Sequence, residues 1–367
     1  MVTRRPVNSD VGRQVPYLRE RTSAHKQEIS MSNELPPPAR MLQIITGYWV
    51  SQAVGTAARL GVSDQLADGP RKSSEVAKAV GADPQALFRL MRMLASIGVF
   101  TMDQQERFAL TPLGDTLRSN VPGSVRDFAI AETTPGHWLP WGRMYEAIKT
   151  GEPMCKPALG MELFDWYSKN PEEGEYFNGA MGDLSAAVSG EVIRIYDFAK
   201  FEKVVDIGGA HGILLAAILK ANPKMRGVLF DLPHVTATAG KSLVTEGIGE
   251  RCEVVTGDFF ESVPPGADIH VLKQIIHDWS DTECTTILRN CHQALKPNGK
   301  LLLVEMVIPP DNSSSMAQAM DLNMLVLLTG RERTESEYRD LLAAADFNME
   351  RVMPTRMPFS VIEASRV

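Results

Sequence analysis

Residues 273–280 read Lys-Gln-Ile-Ile-His-Asp-Trp-Ser, and His277 is the side chain there best suited to move a proton near neutral pH. A lone histidine is more often a satisfied structural residue than a catalyst. This one follows an apolar strand, at the end of the sheet where open α/β folds bind ligands, and that position reverses the odds. Asp278 stands beside it, Glu305 closes the run LLLVEM, and Glu332 lies in Gly330-Arg331-Glu332-Arg333-Thr334. Glu305 and Glu332 are candidates to orient the imidazole or stabilise its cation. For Glu332 the competing reading is a surface ion pair. The chemistry such a group serves is deprotonation of a hydroxyl. A phenol of pKa about 10 is only about 0.1% phenolate at pH 7, a penalty of about 4 kcal/mol. A base of pKa about 6.5 in hydrogen-bond reach removes the proton during attack and contributes roughly 10²–10⁴-fold. No metal is required for that step.

A second constellation would hold the electrophile. Asp206-Ile207-Gly208-Gly209-Ala210-His211-Gly212 ends an apolar strand, and glycines there let the backbone turn tightly and approach a ligand. Several cofactor classes share such a loop. Asp231 closes the next strand, about 20 residues on, where an acid grips the ribose hydroxyls of adenosine cofactors. A dinucleotide would still fit. Gly257-Asp258-Phe259-Phe260, at the end of a third strand, then adds an acid for an exocyclic amine and an aromatic face for a purine. A rim of Asp206, Asp231 and Asp258 suits a cationic sulfonium better than an anionic pyrophosphate, which points to S-adenosylmethionine. Alignment of oxygen and methyl in line would then supply about 7–11 kcal/mol.

To position these residues the chain needs a doubly wound α/β domain, and from Lys203 the pattern is that of one. VVDIGG, GVLFD, CEVVTGD, ADIHVLK and GKLLLVEMVI are short Val/Ile/Leu runs expected in a parallel sheet. A helix over Ile213–Lys220 is stopped by Asn222-Pro223. Another starts at the capping box Ser280-Asp281-Thr282-Glu283 and is expected to end at Lys296-Pro297-Asn298-Gly299. Upstream, residues 121–200 form a helical connection rich in Trp138, Trp141, Phe164, Trp166, Tyr167 and Phe177. That concentration suits the wall of an apolar pocket, although each residue alone could be plain core.

Residues 37–120 have a winged-helix outline. Met41, Ile44, Ile45, Trp49, Ala53, Val54 and Ala57 recur at helix spacing as a core-facing stripe. Ser74 is expected to cap one helix and Asp83-Pro84 to open the next, whose stripe is Leu87, Leu90, Met91, Leu94 and Ile97. Phe100-Thr101 and Phe108-Ala109-Leu110 pair across the turn Asp103–Glu106. With only Arg89 and Arg92 on the second helix, this reads as a packing or dimerisation module rather than a DNA reader. Residues 1–36, closed by Pro36-Pro37-Pro38, read as a disordered or loosely docked tail, and Met31 would be a normal start for the helical domain after it.

Composition sets the outer bounds. The 367 residues are 44% apolar and 23% charged, with a net charge of -7 and no basic run, which argues against a nucleic-acid partner. No segment nears the roughly 20 apolar residues that span a bilayer, and the basic N-terminus lacks the apolar region of a secretory signal. Cys155, Cys252, Cys284 and Cys291 show no paired or metal-finger spacing. They read as reduced thiols in a cytoplasmic protein.

From about Ala39 onward the chain resembles the small-molecule O-methyltransferases typified by plant caffeate and flavonoid enzymes and by bacterial antibiotic-tailoring enzymes. DIGGAHG, LFDLPHV, GDFFESVP, LKQIIHDWSD, LKPNGKLLLVEMVIP and LTGRERTESEY carry the likeness, in this order and spacing. The resemblance implies a Rossmann-like methyltransferase domain over 201–367 behind a mainly helical dimerisation domain, acting as a homodimer. It implies Asp206, Gly208, Gly209, Asp231, Leu232, Asp258, Phe259 and Lys273 as cofactor contacts, with S-adenosylhomocysteine as product. His277 is implied as the base, flanked by Glu305 and Glu332. The aromatic acceptor would meet Trp138, Trp141, Phe164, Phe177, Asn178, Met181, Asp278, Met320, Asn323 and Met324. One departure is Ala210, where the family's loop usually carries a third glycine; His211, next to it, is expected to be a loop residue near the cofactor. Two other functions remain open at this level. One is a relative that turns the same cofactor to hydroxylation, decarboxylation or rearrangement, and the other is a DNA-binding metabolite sensor. Retention of His277 with both acids favours methyl transfer.

Overall fold

The computed structural model describes residues 35–311, 313 and 315–367. The tail expected over 1–36 therefore lies, apart from Leu35 and Pro36, outside the described residues. The chain divides into two compact units, residues 1–51 and 52–367.

The described part of the first unit is helix Pro37–Ile45, with proline in its first turn, and the start of helix Gly47–Arg59. Met41, Ile44, Ile45 and Trp49 are all more than half exposed, which corrects the expected core-facing stripe. Helical spacing guarantees an apolar face but does not say which surface covers it. Further along the same stripe Ala57 is fully buried.

In the second unit, helices Ser73–Val80 and Pro84–Ser96 fall between the first and second strands of a small antiparallel sheet. Its strands are β1 (Arg71–Lys72), β2 (Phe100–Met102) and β3 (Arg107–Leu110), in the order β1-β3-β2. The Asp83 carboxylate accepts from the amides of Gln85 and Ala86, as a helix cap should. Ser74 is not a cap. The cap position is Lys72, whose amide donates to Glu75, so the helix begins one residue before Ser74. Leu87, Met91 and Leu94 are buried as expected, but Ile97 sits beyond the last helical turn and is exposed.

The larger sheet holds β4 (Lys203–Ile207), β5 (Arg226–Asp231), β6 (Cys252–Thr256), β7 (Ala267–Lys273), β8 (Leu295–Glu305), β11 (Phe347–Pro354) and β12 (Ser360–Arg366). Their order is β11-β12-β8-β7-β4-β5-β6. The five expected strands run parallel, whereas β12 is antiparallel to β8 and β11 antiparallel to β12. Both faces are covered. Val204, Val271 and Leu302 point into one apolar core and Val205, Leu272 and Leu303 into the other, the period-two alternation of a doubly covered sheet. Helix Asp281–Ala294 stops earlier than expected and passes straight into β8. Lys296–Gly299 fall in a register shift at the start of that strand, between the pairs Ala267–Leu295 and Ile269–Lys300. β9 (Val307–Ile308) and β10 (Arg333–Thr334) form a separate parallel pair. No described helix is long and apolar enough to cross a membrane.

Candidate active site

Strand order reverses between β4 and β7, so chain segments leave the sheet in opposite directions there and open a crevice at its carboxyl edge. Asp206 lies at the end of β4 and is buried, with Oδ2 lacking a hydrogen-bond partner. Burial pushes its carboxyl up to about 7, with Lys273 opposing. The backbone then turns at Gly208, whose φ is +68°. A Cβ at Gly208 would lie 2.5 Å from Ile275 Cδ1, and one at Gly209 would lie 2.6 Å from Asp206 Oδ2. Bare backbone is therefore needed here, and it passes directly beside an unsatisfied acid. Ala210 adopts φ +50° despite its side chain, a geometry that costs about 1 kcal/mol relative to glycine. Its amide donates to Asp231 Oδ2 at 2.9 Å. The Asp231 carbonyl accepts from Gly257 at 3.1 Å, which aligns the ends of β5 and β6. Asp258 accepts from the Phe260 amide, and Phe259 would be 3.7 Å from a Gly208 Cβ. Leu232 and His211 are exposed on this edge. The orphaned carboxylate oxygen and the side-chain-free loop fit an adenosine cofactor bearing positive charge.

The second half of the crevice is built around the end of β7. Gln274 holds φ +55° and hydrogen-bonds back to the Val304 carbonyl, which turns the chain into the 3₁₀ segment Ile276–Asp278. His277 is only 8% exposed there. Its Nδ1 is 2.8 Å from Glu332 Oε1, and its Nε2 is 3.3 Å from Asp278 Oδ1. Glu332 is 2% exposed, so the surface ion pair considered for it is overturned. Glu305, at the end of β8, does not hold the ring. It accepts the amides of Ile275 and Ile276 at 3.1 and 2.9 Å and so fixes the loop that carries His277. His277, Glu305 and Glu332 present atoms all within 4.8 Å of one another. One oxygen on each carboxylate, Glu305 Oε2 and Glu332 Oε2, is buried without a partner.

Electrostatics at this cluster differ from the expectation of a base near 6.5. Burial alone pushes the His277 imidazolium down, but the hydrogen bond it donates to Glu332 and the charges of Asp278, Glu305 and Glu332 outweigh it and carry it to about 10. Burial raises Glu305 to about 7 and raises Asp278, with His277 opposing in both. Lys273 bonds Gln274 Oε1; burial holds its ammonium low although Asp206 and Glu305 pull it up.

Four residues that sequence reasoning missed complete the frame. Arg333 is fully buried and donates to the carbonyls of Ile276 and Trp279 and to Asp281. Gly330 lies so close to His277 that a Cβ would sit 1.9 Å from its carbonyl oxygen. Asp321 accepts the Glu332 amide at 3.0 Å. Arg333 and Gly330 stood inside the quoted motif LTGRERTESEY, and Asp281 inside the capping box. Their backbone-directed roles leave no mark on local pattern.

Of the expected acceptor contacts, Trp141 and Asn323 meet directly, Nε1 to Oδ1 at 2.7 Å, and Asn323 reaches the Met320 sulfur. Met320, Asn323 and Met324 share helix Met316–Leu327, which also carries Asp321. Phe177 stacks on Tyr167 at 4.7 Å and meets Phe164 edge-on, while Phe164 and Asn178 are exposed. Trp138 and Met181 are half-buried on helices Pro135–Trp141 and Pro171–Ile195.

Comparison with known proteins bears on this geometry. Residues 141–348 match the O-methyltransferase domain family, and residues 42–120 match the O-methyltransferase dimerisation domain. The chain is 42% identical to the phenazine O-methyltransferase PhzM of Lysobacter antibioticus, over 92% of this chain and 98% of that one. It is 37% identical to the mitomycin biosynthesis 6-O-methyltransferase of Streptomyces lavendulae, over 88% and 93% of the two chains. It is also similar in structure, with a TM-score of 0.73 and 31% identity over 87% of this chain and 96% of the other, to an O-methyltransferase from neocarzinostatin biosynthesis. That protein was solved in complex with S-adenosylmethionine and 2-hydroxy-5-methyl naphthoic acid. With a glycine cradle and acid rim on one side of the crevice and a carboxylate-held histidine on the other, this chain belongs to the S-adenosylmethionine-dependent O-methyltransferases.

Proposed function

We propose that the acceptor is a small aromatic natural product, phenolic or polyketide-like, and that His277 is the general base for methylation of its hydroxyl. The observation that carries this is the buried His277 ring, held at Nδ1 by Glu332 with Nε2 turned to the side of Asp278. S-adenosylmethionine, when bound, supplies a methyl group on a sulfonium that departs as a neutral thioether. Asp206, Gly208, Gly209, Asp231, Leu232, Asp258, Phe259 and Lys273 would hold it at the carboxyl edge of β4 to β7.

His277 Nε2 takes the hydroxyl proton as the acceptor oxygen bonds to the methyl carbon. The imidazolium so formed is stabilised by Glu332 and Asp278, and Glu305 keeps its loop in place. A base raised to about 10 is matched to a phenol of pKa about 10, so the proton moves with little free-energy change. The deprotonated base then becomes more abundant as pH rises, which favours alkaline conditions. Trp141, Asn323, Met320, Met324, Phe177, Met181, Trp138, Phe164 and Asn178 would form the acceptor's walls, and their apolar surface would exclude water.

The division at 37–120, 121–200 and 201–367, the winged-helix character of the first part, a homodimer formed through the exposed apolar face of helix Pro37–Ile45, and a cytoplasmic site of action in secondary metabolism complete the reading. Methyl transfer from radiolabelled S-adenosylmethionine to a panel of phenols, with wild type beside His277→Ala, tests it. The variant should keep cofactor affinity and lose at least about 100-fold in turnover. Undiminished turnover by His277→Ala would remove the base from the reading. Cofactor binding without transfer to any acceptor would replace methyl transfer by another use of the same cofactor.

A further inference from the structure

One acidic side chain beside the expected acceptor walls has no task in the steps above. Glu132 follows helix Arg126–Ala131 and stands just before helix Pro135–Trp141, which carries Trp138 and Trp141. Its neighbours Ala131, Thr134 and His137 are buried, yet Glu132 keeps 36% of its side-chain surface open. Burial nevertheless raises its carboxyl to about 7, and no neighbouring charge opposes the rise. A carboxylate facing bulk water would not be raised in this way. The open surface of Glu132 therefore looks into an enclosed space.

The surroundings identify that space. His137 Nε2 lies 3.7 Å from Glu132 Oε1, and His137 Nδ1 is 2.7 Å from the Tyr167 hydroxyl. Phe177 stacks on Tyr167, and its ring lies 6.0 Å from that of His137. At the other end of helix Pro135–Trp141, Trp141 donates to Asn323. Asn323 shares its helix with Asp321, which accepts the Glu332 amide. A helix of seven residues, roughly 10 Å long, thus separates the Glu132 end of the wall from the end tied to the base.

The carboxylate at the far end lacks a donor. Beyond the long approach of His137 Nε2, no hydrogen bond reaches it from the described residues. Burial pushes the His137 imidazolium down to about 4, so the ring stays neutral and offers Glu132 no charge. With Glu132 ionised, the ring proton is favoured on Nε2, which leaves Nδ1 to accept from Tyr167. Glu173, beside the same helix, is a contrast, because one of its oxygens accepts both the Gly136 amide and the Trp166 indole N–H. Glu173 ties the wall together. Glu132 ties nothing, and an enclosed carboxylate is destabilising until water or a ligand gives it a donor.

We propose that Glu132 determines specificity by accepting a hydrogen bond from a second N–H or O–H group of the aromatic acceptor, at the edge remote from the hydroxyl that is methylated. The inference rests on the reading of this crevice as the acceptor site. The apolar rings of Trp138 and Phe177 would keep water from that contact, which strengthens a hydrogen bond to a charged oxygen.

The test pairs 6-amino-2-naphthol with 6-methyl-2-naphthol and 7-amino-2-naphthol with 7-methyl-2-naphthol. Each is bound by calorimetry to protein saturated with S-adenosylhomocysteine at pH 8. The members of a pair match in size and charge, and the methyl compound is the more apolar, so burial alone would favour it. The expected result is that the amine of at least one pair binds about 10-fold or more tightly than its methyl partner. That preference should vanish in Glu132→Leu and fall to about threefold in Glu132→Gln, which keeps an acceptor without the charge. A merely structural disturbance would move both members of a pair together. Amines that gain less than about threefold over their partners, or naphthols that do not bind at all, overturn the proposal. So does a preference that Glu132→Leu leaves intact, because another group would then be reading the amine. Equal affinity within each pair, with both members methylated, would remove this inference and retain the reaction. Discrimination in binding without any methyl transfer would do the reverse.

Discussion

His277 shows how far a single side chain is defined by its neighbours. An isolated imidazole titrates near neutrality, but here one nitrogen is held by Glu332 and three carboxyls surround the ring. Replacing Glu332 by Gln keeps the shape and removes the charge. The acid that holds His277 protonated is then gone, so the base-dependent limb of kcat/KM should move to lower pH. The maximal value should fall about 10- to 100-fold, the worth of one charge-assisted hydrogen bond. A pH–rate profile checks both, and a limb that stays in place would mean that Glu332 only shapes the pocket. The sequence made His277 and Glu305 legible, because titratable residues at the ends of apolar strands stand out, whereas Glu332 lies in the charged run Gly330–Thr334 and is singled out by the family resemblance. The sequence did not divide their labour. Glu305 serves the backbone amides of Ile275 and Ile276, and only the fold could bring those groups to it.

At the scale of elements, the loop 274–280 and the segment 330–334 clasp each other. The Arg331 amide donates to the His277 carbonyl at 2.8 Å, and Gly330 leaves no room for a side chain. Gly330→Ala should therefore cost about 1–3 kcal/mol of stability and displace His277 enough to lower kcat about 100-fold. Thermal unfolding together with steady-state kinetics measures the two, and a fully active Gly330→Ala would show that the loop can yield. The parallel strands and their glycine turns were readable from period and punctuation. The positions that failed lie where local pattern is silent. Ser74 and Lys72 are equally placed to begin a helix, and only the reach of Glu75 to the Lys72 amide decides between them. Lys296–Gly299 look like a stop signal, yet pairing with β7 draws them into the strand. The β11–β12 hairpin went unread because its sequence alternates weakly and ends no motif.

The molecule as a whole carries two further expectations. Met41, Leu42, Ile44 and Ile45 leave one helix apolar and exposed, more surface than a lone soluble chain usually presents. A Met41→Glu, Ile45→Glu double variant should elute as a monomer in light-scattering chromatography where wild type elutes as a dimer. An unchanged mass would place the dimer contact elsewhere. The second concerns acid. His270 is fully buried on β7, and burial pushes it down to about 3. The unfolded chain therefore binds a proton below about pH 6.5 that the folded chain refuses. This contribution to stability is complete above that pH and is lost as pH falls toward 3. His270→Leu should accordingly lose less Tm between pH 7 and pH 4 than wild type does, whatever its stability at pH 7. Parallel losses would assign the acid sensitivity to other groups.

The antiparallel placement of β12 between β8 and β11 has a consequence for how the chain is assembled. β8 carries Leu301, Leu302, Leu303 and Val304, and its outer edge finds its partners only in Ser360–Arg366. Until that late hairpin docks, the most apolar strand of the sheet offers an open row of amides and carbonyls to any other chain. Lesions in the hairpin, far from every reacting atom, should therefore declare themselves as insoluble protein in the producing cell rather than as soluble enzyme with poor turnover.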